Sequence, residues 1–298
     1  MFMARQKLPE LKTPSRRALR LRTLARRYDF HLGEAIRAAL EGNHDKAATH
    51  SATALSLSRE LCAGARDPQW HRAELAAALC HHARYSSDAT QTIALLTESA
   101  GHYAALAKAD PAGYEVPRIE VLTKVALASD TSGNTGDAIS LLREVVNMYL
   151  KAPAADLAQR DLALARARFH LGRCLLKNDL EADGLAETDA GLALASRALD
   201  RLRVQACAPG WLATAPRYVQ LAAPDWAAAA VRSMTLHAAA ARWESAAGAA
   251  YAAVRLSGGL AWLGGDALRA AHEAIRTRAD MICARADHTQ RAVAGQAG

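Results

Sequence analysis

Aromatic side chains are scarce, making up 5% of the 298 residues. Sheets rely on aromatic and β-branched residues to cover their pleated faces, so this composition argues against a sheet-built fold. Cysteines are few and unpaired in pattern. Cys62, Cys80, Cys174, Cys207 and Cys283 are odd in number, scattered, and show no CxxC spacing. That excludes a disulfide framework and predicts reduced thiols in a cytoplasmic protein. Long apolar runs are missing too. "LAAPDWAAAAV" is broken by Pro224 and Asp225 and is too short to cross a bilayer. The signatures GxxxxGK, HExxH and GxSxG do not occur. "GGLAWLGG" at 258–265 follows no predicted strand and reads as a helix end rather than a phosphate cradle. No catalytic, cofactor-binding or metal residue is assigned, no cofactor is expected, and the chain reads as a non-enzyme.

What the sequence does contain is alanine, 72 residues of it, the composition of closely packed helices. Its charge is unevenly placed. Residues 1–27 hold nine Lys/Arg against Glu10 alone, a net +8, so the rest of the +7 chain stands at −1. The basicity belongs to one end and does not imply a nucleic-acid-binding body. "SRRALRL" at 15–21 is similar to a twin-arginine export signal, but basic "RTLARRYDF" follows where an apolar region is required. An arginine-rich transit peptide remains an alternative for 1–27.

The chain repeats itself. "EGNHDKAATHSATALSL" (41–57) and "SGNTGDAISLLREVV" (132–146) share a glycine, polar residues, an acid and then an alanine that opens an apolar helical pattern. Segments 83–106, 176–199 and 240–260 repeat the shape. Ala47, Thr92, Ala138, Asp183 and Ala246 mark equivalent points, spaced 45, 46, 45 and 63. Pro68, Pro111 and Pro153 keep nearly the same period, each opening a new element. Each unit predicts two antiparallel helices. In the third, 118–131 and 136–151 flank a turn in which Gly133 takes a left-handed conformation and Asn134 or Thr135 caps the next helix. The long last interval holds an insertion, 207–226, rich in proline and aromatics.

The turn pattern Gly-x-x-x-x-Ala (Gly42 to Ala47, Gly133 to Ala138), with "ARWESA" (241–246) and "FHLGRCLL" (169–176), resembles the tetratricopeptide repeat family, in a version with longer repeats. HEAT-type helical pairs share the period but as a rule lack this elbow. The resemblance covers residues 28–265. It implies an all-α, right-handed α-solenoid of about five antiparallel hairpins. Residues 1–27 would form a basic N-terminal segment with a capping helix at 15–27, and 266–298 a last helix near 266–288 with a disordered tail. It also implies a protein- or peptide-binding scaffold whose first helices line a groove.

On that basis the groove residues are His81, Arg84, Tyr85, Glu120, Lys124, Arg166 and Arg173. Four cations among them favour an acidic or carboxylate-bearing protein or peptide partner. The other reading of these positions is a solvated helix face. His170 and Cys174, four apart, could form half a metal site, but no second pair stands at ligand spacing, so they read as a core cysteine beside a groove or surface histidine. Leu21, Leu24 and Tyr28 share a stripe among arginines. That segment could cap the first repeat, contact nucleic acid or dock on anionic lipid. The alternative to a scaffold is a peptide-sensing regulator whose basic N-terminus contacts nucleic acid or a partner. The insertion predicts a loop in which Trp211 and Tyr218 either pack back on the helices or form an interface.

Overall fold

Alanine at helical spacing lets backbones approach closely, and the chain folds accordingly. The computed structural model describes residues 16–65, 68–152, 157–202, 210–215 and 217–296, which are helical or turn with no strand among them. They form twelve α-helices, and most pack against their neighbours in sequence.

The chain divides into two compact units, Met1–Ala109 and Asp110–Gly298. The first holds α1 (Arg16–Leu40), α2 (His44–Gly64), α3 (Pro68–His82), a 3-10 turn (Ala83–Tyr85) and α4 (Ala89–Ala107). The second holds α5 (Pro111–Thr131), α6 (Thr135–Lys151), α7 (Leu157–Lys177), α8 (Glu181–Arg201), the short α9 (Trp211–Thr214), α10 (Arg217–Ala239), α11 (Trp243–Leu263) and α12 (Asp266–Gln296). The hairpins are α1/α2, α3/α4, α5/α6, α7/α8 and α10/α11, and α12 packs on α11.

Four elbows share one construction. A left-handed residue ends the first helix: Gly42 (φ +76°), Gly133 (+91°), Asp179 (+58°) and Ala241 (+54°). The next residue donates its N–H back five positions: Asn43 to Ala38 O (2.8 Å), Asn134 to Ser129 O (2.9 Å), Leu180 to Leu175 O (3.1 Å), Arg242 to His237 O (2.8 Å). These bonds satisfy carbonyls that a helix end leaves open. The elbow of α3/α4 differs. The 3-10 turn replaces the left-handed residue, and the Asp88 carboxylate caps α4 by accepting from the N–H groups of Thr90 (3.0 Å) and Gln91 (3.1 Å).

Four residues past each left-handed elbow's cap, a small side chain is buried where the two helices meet: Ala47, Ala138, Gly184 and Ala246. The equivalent point in the fourth hairpin is therefore Gly184 and not Asp183, which is exposed. The reason is steric. A Cβ on Gly184 would lie 2.7 Å from Leu176 Cγ, and one on Gly172 would lie 2.7 Å from the Gly184 carbonyl. The α7/α8 crossing tolerates nothing larger.

Two expected boundaries shift. The capping helix expected at 15–27 and the first repeat helix are one continuous element, α1, because no residue between 16 and 40 breaks it. Its Leu24 and Tyr28 are buried and Leu21 is half-buried, and Arg17 donates to the Gly64 carbonyl at the end of α2 (3.1 and 2.6 Å). At the other end α12 runs to Gln296, where a disordered tail after 289 was expected. Pro153 lies outside the described residues.

The second unit has two joined cores. One is built by α5, α6 and α7 around Ile119, Leu142, Val145, Tyr149 and Leu175. The other runs from α7 through α12 around Phe169, Leu199, Leu212, Trp226 and Met234. Helix α7 serves both.

Candidate functional site

Between the two cores α7 carries one polar stripe. Arg166, His170, Arg173 and Lys177 follow at i, i+4, i+7 and i+11, so they stand in a row. Helix α5 packs beside α7 and carries Glu120, Lys124 and Asp130. Helix α10, on its other side, carries Asp225, Arg232 and Leu236.

The row is tied to both neighbours. Asp130, whose side chain has no accessible surface, accepts from Lys177 Nζ (3.0 and 2.9 Å), Arg173 Nη2 (3.2 Å) and Thr135 Oγ1 (3.1 Å). Burial alone would raise its pKa. The Lys177 and Thr135 hydrogen bonds, with the charges of Lys177 and Arg173, outweigh burial and hold the carboxyl below its ordinary range. On the α10 side Arg166 Nε stands 3.5 Å from Asp225 Oδ2, both side chains close to half exposed.

His170 is buried in the middle of the row, and its Nε2 has no hydrogen-bond partner. Burial, with Arg166 and Arg173 alongside, pushes its pKa down to about 3, so the ring is neutral near neutral pH. Cys174 is buried, and burial together with Asp130 pushes its thiol pKa up. Among the described residues no group of three His, Cys, Asp or Glu could hold a metal ion. Glu120 is reached by solvent but flanked by protein. Lost hydration raises its carboxyl pKa against the opposing pull of Lys124 and Arg166. A cleft of about 600 Å³ opens at the end of the row, lined by Arg173, Lys177, Arg232, Asp179, Glu181 and Leu236 among others.

Glu120, Lys124, Arg166 and Arg173 therefore lie on the adjoining helices α5 and α7. His81, Arg84 and Tyr85 belong to the other unit, at the end of α3 and in the 3-10 turn. There the His81 and Tyr85 rings meet edge-on at 5.4 Å. Burial, with Arg84 and His82 nearby, lowers the His81 pKa.

Trp211 is 4% exposed and packs on the backbone of Gly259, where a Cβ would collide with its ring. Trp262 reciprocates, lying against Gly210, where a Cβ would stand 2.7 Å from the indole. Gly259 of "GGLAWLGG" thus admits a tryptophan, and the segment holds the expected helix end, since α11 stops at Leu263 with Gly264 as its cap, while Gly258 and Gly259 lie inside the helix. Residues 217–226 of the expected loop are the first turns of α10. Residues 207–209 and the side chain of Tyr218 lie outside the described residues.

Two serine–histidine contacts invite a catalytic reading: Ser51 Oγ to His82 Nδ1 (2.9 Å) and Ser257 Oγ to His272 Nδ1 (2.9 Å). Each hydroxyl donates to a carbonyl of its own helix, Ala48 O at 2.8 Å and Val254 O at 3.3 Å. The imidazole is then the donor and cannot take the serine proton at that atom.

Sequence reasoning passed over Asp130 and Asp189. The latter accepts from Ser233 Oγ (2.8 Å) and His237 Nε2 (2.8 Å) and joins α8 to α10. A signal existed for Asp130. An acid in the last turn of a helix runs against the helix dipole and calls for nearby cations. No family model matches the chain, and no curated protein matches it.

Proposed function

We propose that the protein is a non-enzymatic scaffold that binds a protein or peptide partner along the row formed by α5, α7 and α10. On this reading each unit is a right-handed solenoid of tetratricopeptide-like hairpins, and first helices line the binding face. The fourfold recurrence of the left-handed elbow supports the repeat. The neighbouring first helices α5, α7 and α10 support the stacking.

The observation that carries the functional reading is the cleft in which Arg173, Lys177 and Arg232 converge beside Leu236. Three cations against two acids, Asp179 and Glu181, with apolar Leu176 and Leu236 beside them, suit a peptide with acidic and leucine-like residues. Arg173 and Lys177 also hold Asp130, so reversing them would disturb the fold. Arg166 and Arg232 are better probes, since the Arg166–Asp225 pair is exposed and contributes little to stability. Arg166→Glu with Arg232→Glu should weaken binding of acidic peptides, read by fluorescence anisotropy, by about tenfold or more. Unchanged affinity in a variant with native helicity would refute the assignment.

A further inference from the structure

Helix α1 packs against α2 and buries one face, that of Leu24, Tyr28, Ala35 and Ala38. The opposite face is apolar and basic at once. Leu19 (50% exposed), Phe30 (60%) and Leu40 (79%) stand along it, with Ile36 (45%) at its edge. Arg22, Arg26 and Arg37 fall between them, all exposed. From Leu19 to Leu40 the stripe runs roughly 32 Å at the helical rise. The helix carries seven arginines against Asp29 and Glu34, and the chain beyond residue 27 is close to neutral. One large positive surface therefore coincides with four of the exposed large apolar side chains.

We propose that this face of α1 docks on an anionic lipid surface, lying parallel to it. The chemistry of the face favours that occupant over the others. A second copy would set arginines against arginines. Nucleic-acid phosphates would take the guanidinium groups but leave Leu19, Phe30 and Leu40 in a contact that is polar and wet. A folded protein would need a groove shaped to a convex ridge with isolated apolar side chains. The boundary between lipid headgroups and acyl chains accepts both kinds at once. Phe30, Leu19 and Leu40 enter it, while Arg22, Arg26 and Arg37 reach back to the phosphates along their apolar stems. Among the described residues no helix is long and apolar enough to cross a membrane, so the contact is one of surface docking.

The test is co-sedimentation of the full chain with phosphatidylcholine vesicles, with and without about 30% phosphatidylserine, at low and high salt. The protein should bind the anionic vesicles at low salt and not the neutral ones. Phe30→Glu with Leu40→Glu, and separately Arg22→Glu with Arg26→Glu, should each cut that binding about tenfold or more. These side chains are exposed, so circular dichroism should match the parent. Failure to bind anionic vesicles overturns the proposal. So does parental binding by the Phe30/Leu40 variant. Binding to a DNA duplex that is lost with the arginines and indifferent to the Phe30/Leu40 change would assign the face to nucleic acid instead.

Discussion

His170 is neutral in the folded chain down to about pH 3 and ordinary in the unfolded one, and that difference has a sign. Between the ordinary histidine pKa and about 3, the unfolded state binds a proton that the native state refuses. Stability therefore falls as pH drops through that window, by up to about 1.4 kcal/mol per pH unit from this group. His170→Leu removes the titration and the unpartnered Nε2 together. Comparing urea midpoints at pH 7 and pH 4.5, the variant should lose less stability than the parent, by about 2 kcal/mol. Equal losses would mean that His170 is solvated when the pH falls. Asp130 has the depressed-acid case. Its contribution is present above the ordinary aspartate pKa and is lost as pH falls through its lower folded value, so the two groups act in overlapping acid ranges.

At the scale of the element, the elbow is the repeated device, and two of its four copies are made with the wrong residue. Gly42 and Gly133 adopt positive φ freely, whereas Asp179 and Ala241 do so with a Cβ in the way. Ala241→Gly should relieve that strain by about 0.5–1 kcal/mol after the entropy of the added glycine is discounted. Gly133→Ala should cost a similar amount. In differential scanning calorimetry the two substitutions should move the melting temperature in opposite directions. A lowered melting temperature for Ala241→Gly would show that its Cβ is needed for packing. These elements were largely legible in the sequence. The period, the left-handed Gly133 and the buried stripe Ala138, Ile139, Leu142, Val145, Val146 and Tyr149 follow from spacing and turn chemistry. The register of the fourth hairpin was not, because Asp179 disguises its elbow and Gly184 is small for a reason visible only across the helix pair. The row on α7 was half legible. Arg166 and Arg173 could be placed on a polar face, but Asp130 lies 43 residues from Arg173, and no local pattern joins them.

At the scale of the molecule, the unit boundary falls between Ala109 and Asp110, and the second unit begins with its own start signal. The Asp110 side chain accepts from the Gly113 N–H (3.0 Å), with Pro111 in the first turn of α5. Residues 110–298 contain both α7 cores entire. Expressed alone, they should give a helical circular dichroism spectrum and a single cooperative melt. A gradual, non-cooperative loss of helix would show that the first unit is required for that core. The two units also explain why one groove could not be read from residue types alone, since His81, Arg84 and Tyr85 belong to the first and the α5–α7 residues to the second.

Helix α12 has a further meaning for the chain as an assembling object. A row of hairpins has no inherent end, because each covers an apolar face on the one before and offers another to the next. Here the last helix buries Ala279, Ile282 and Ala286 inward and turns Arg269, Glu273, Arg276, Asp280, Asp287 and Arg291 outward. Among the described side chains, isolated Leu268 and Met281 are the large apolar residues exposed on that helix. That side offers an approaching helix charge in place of a continuous apolar seam.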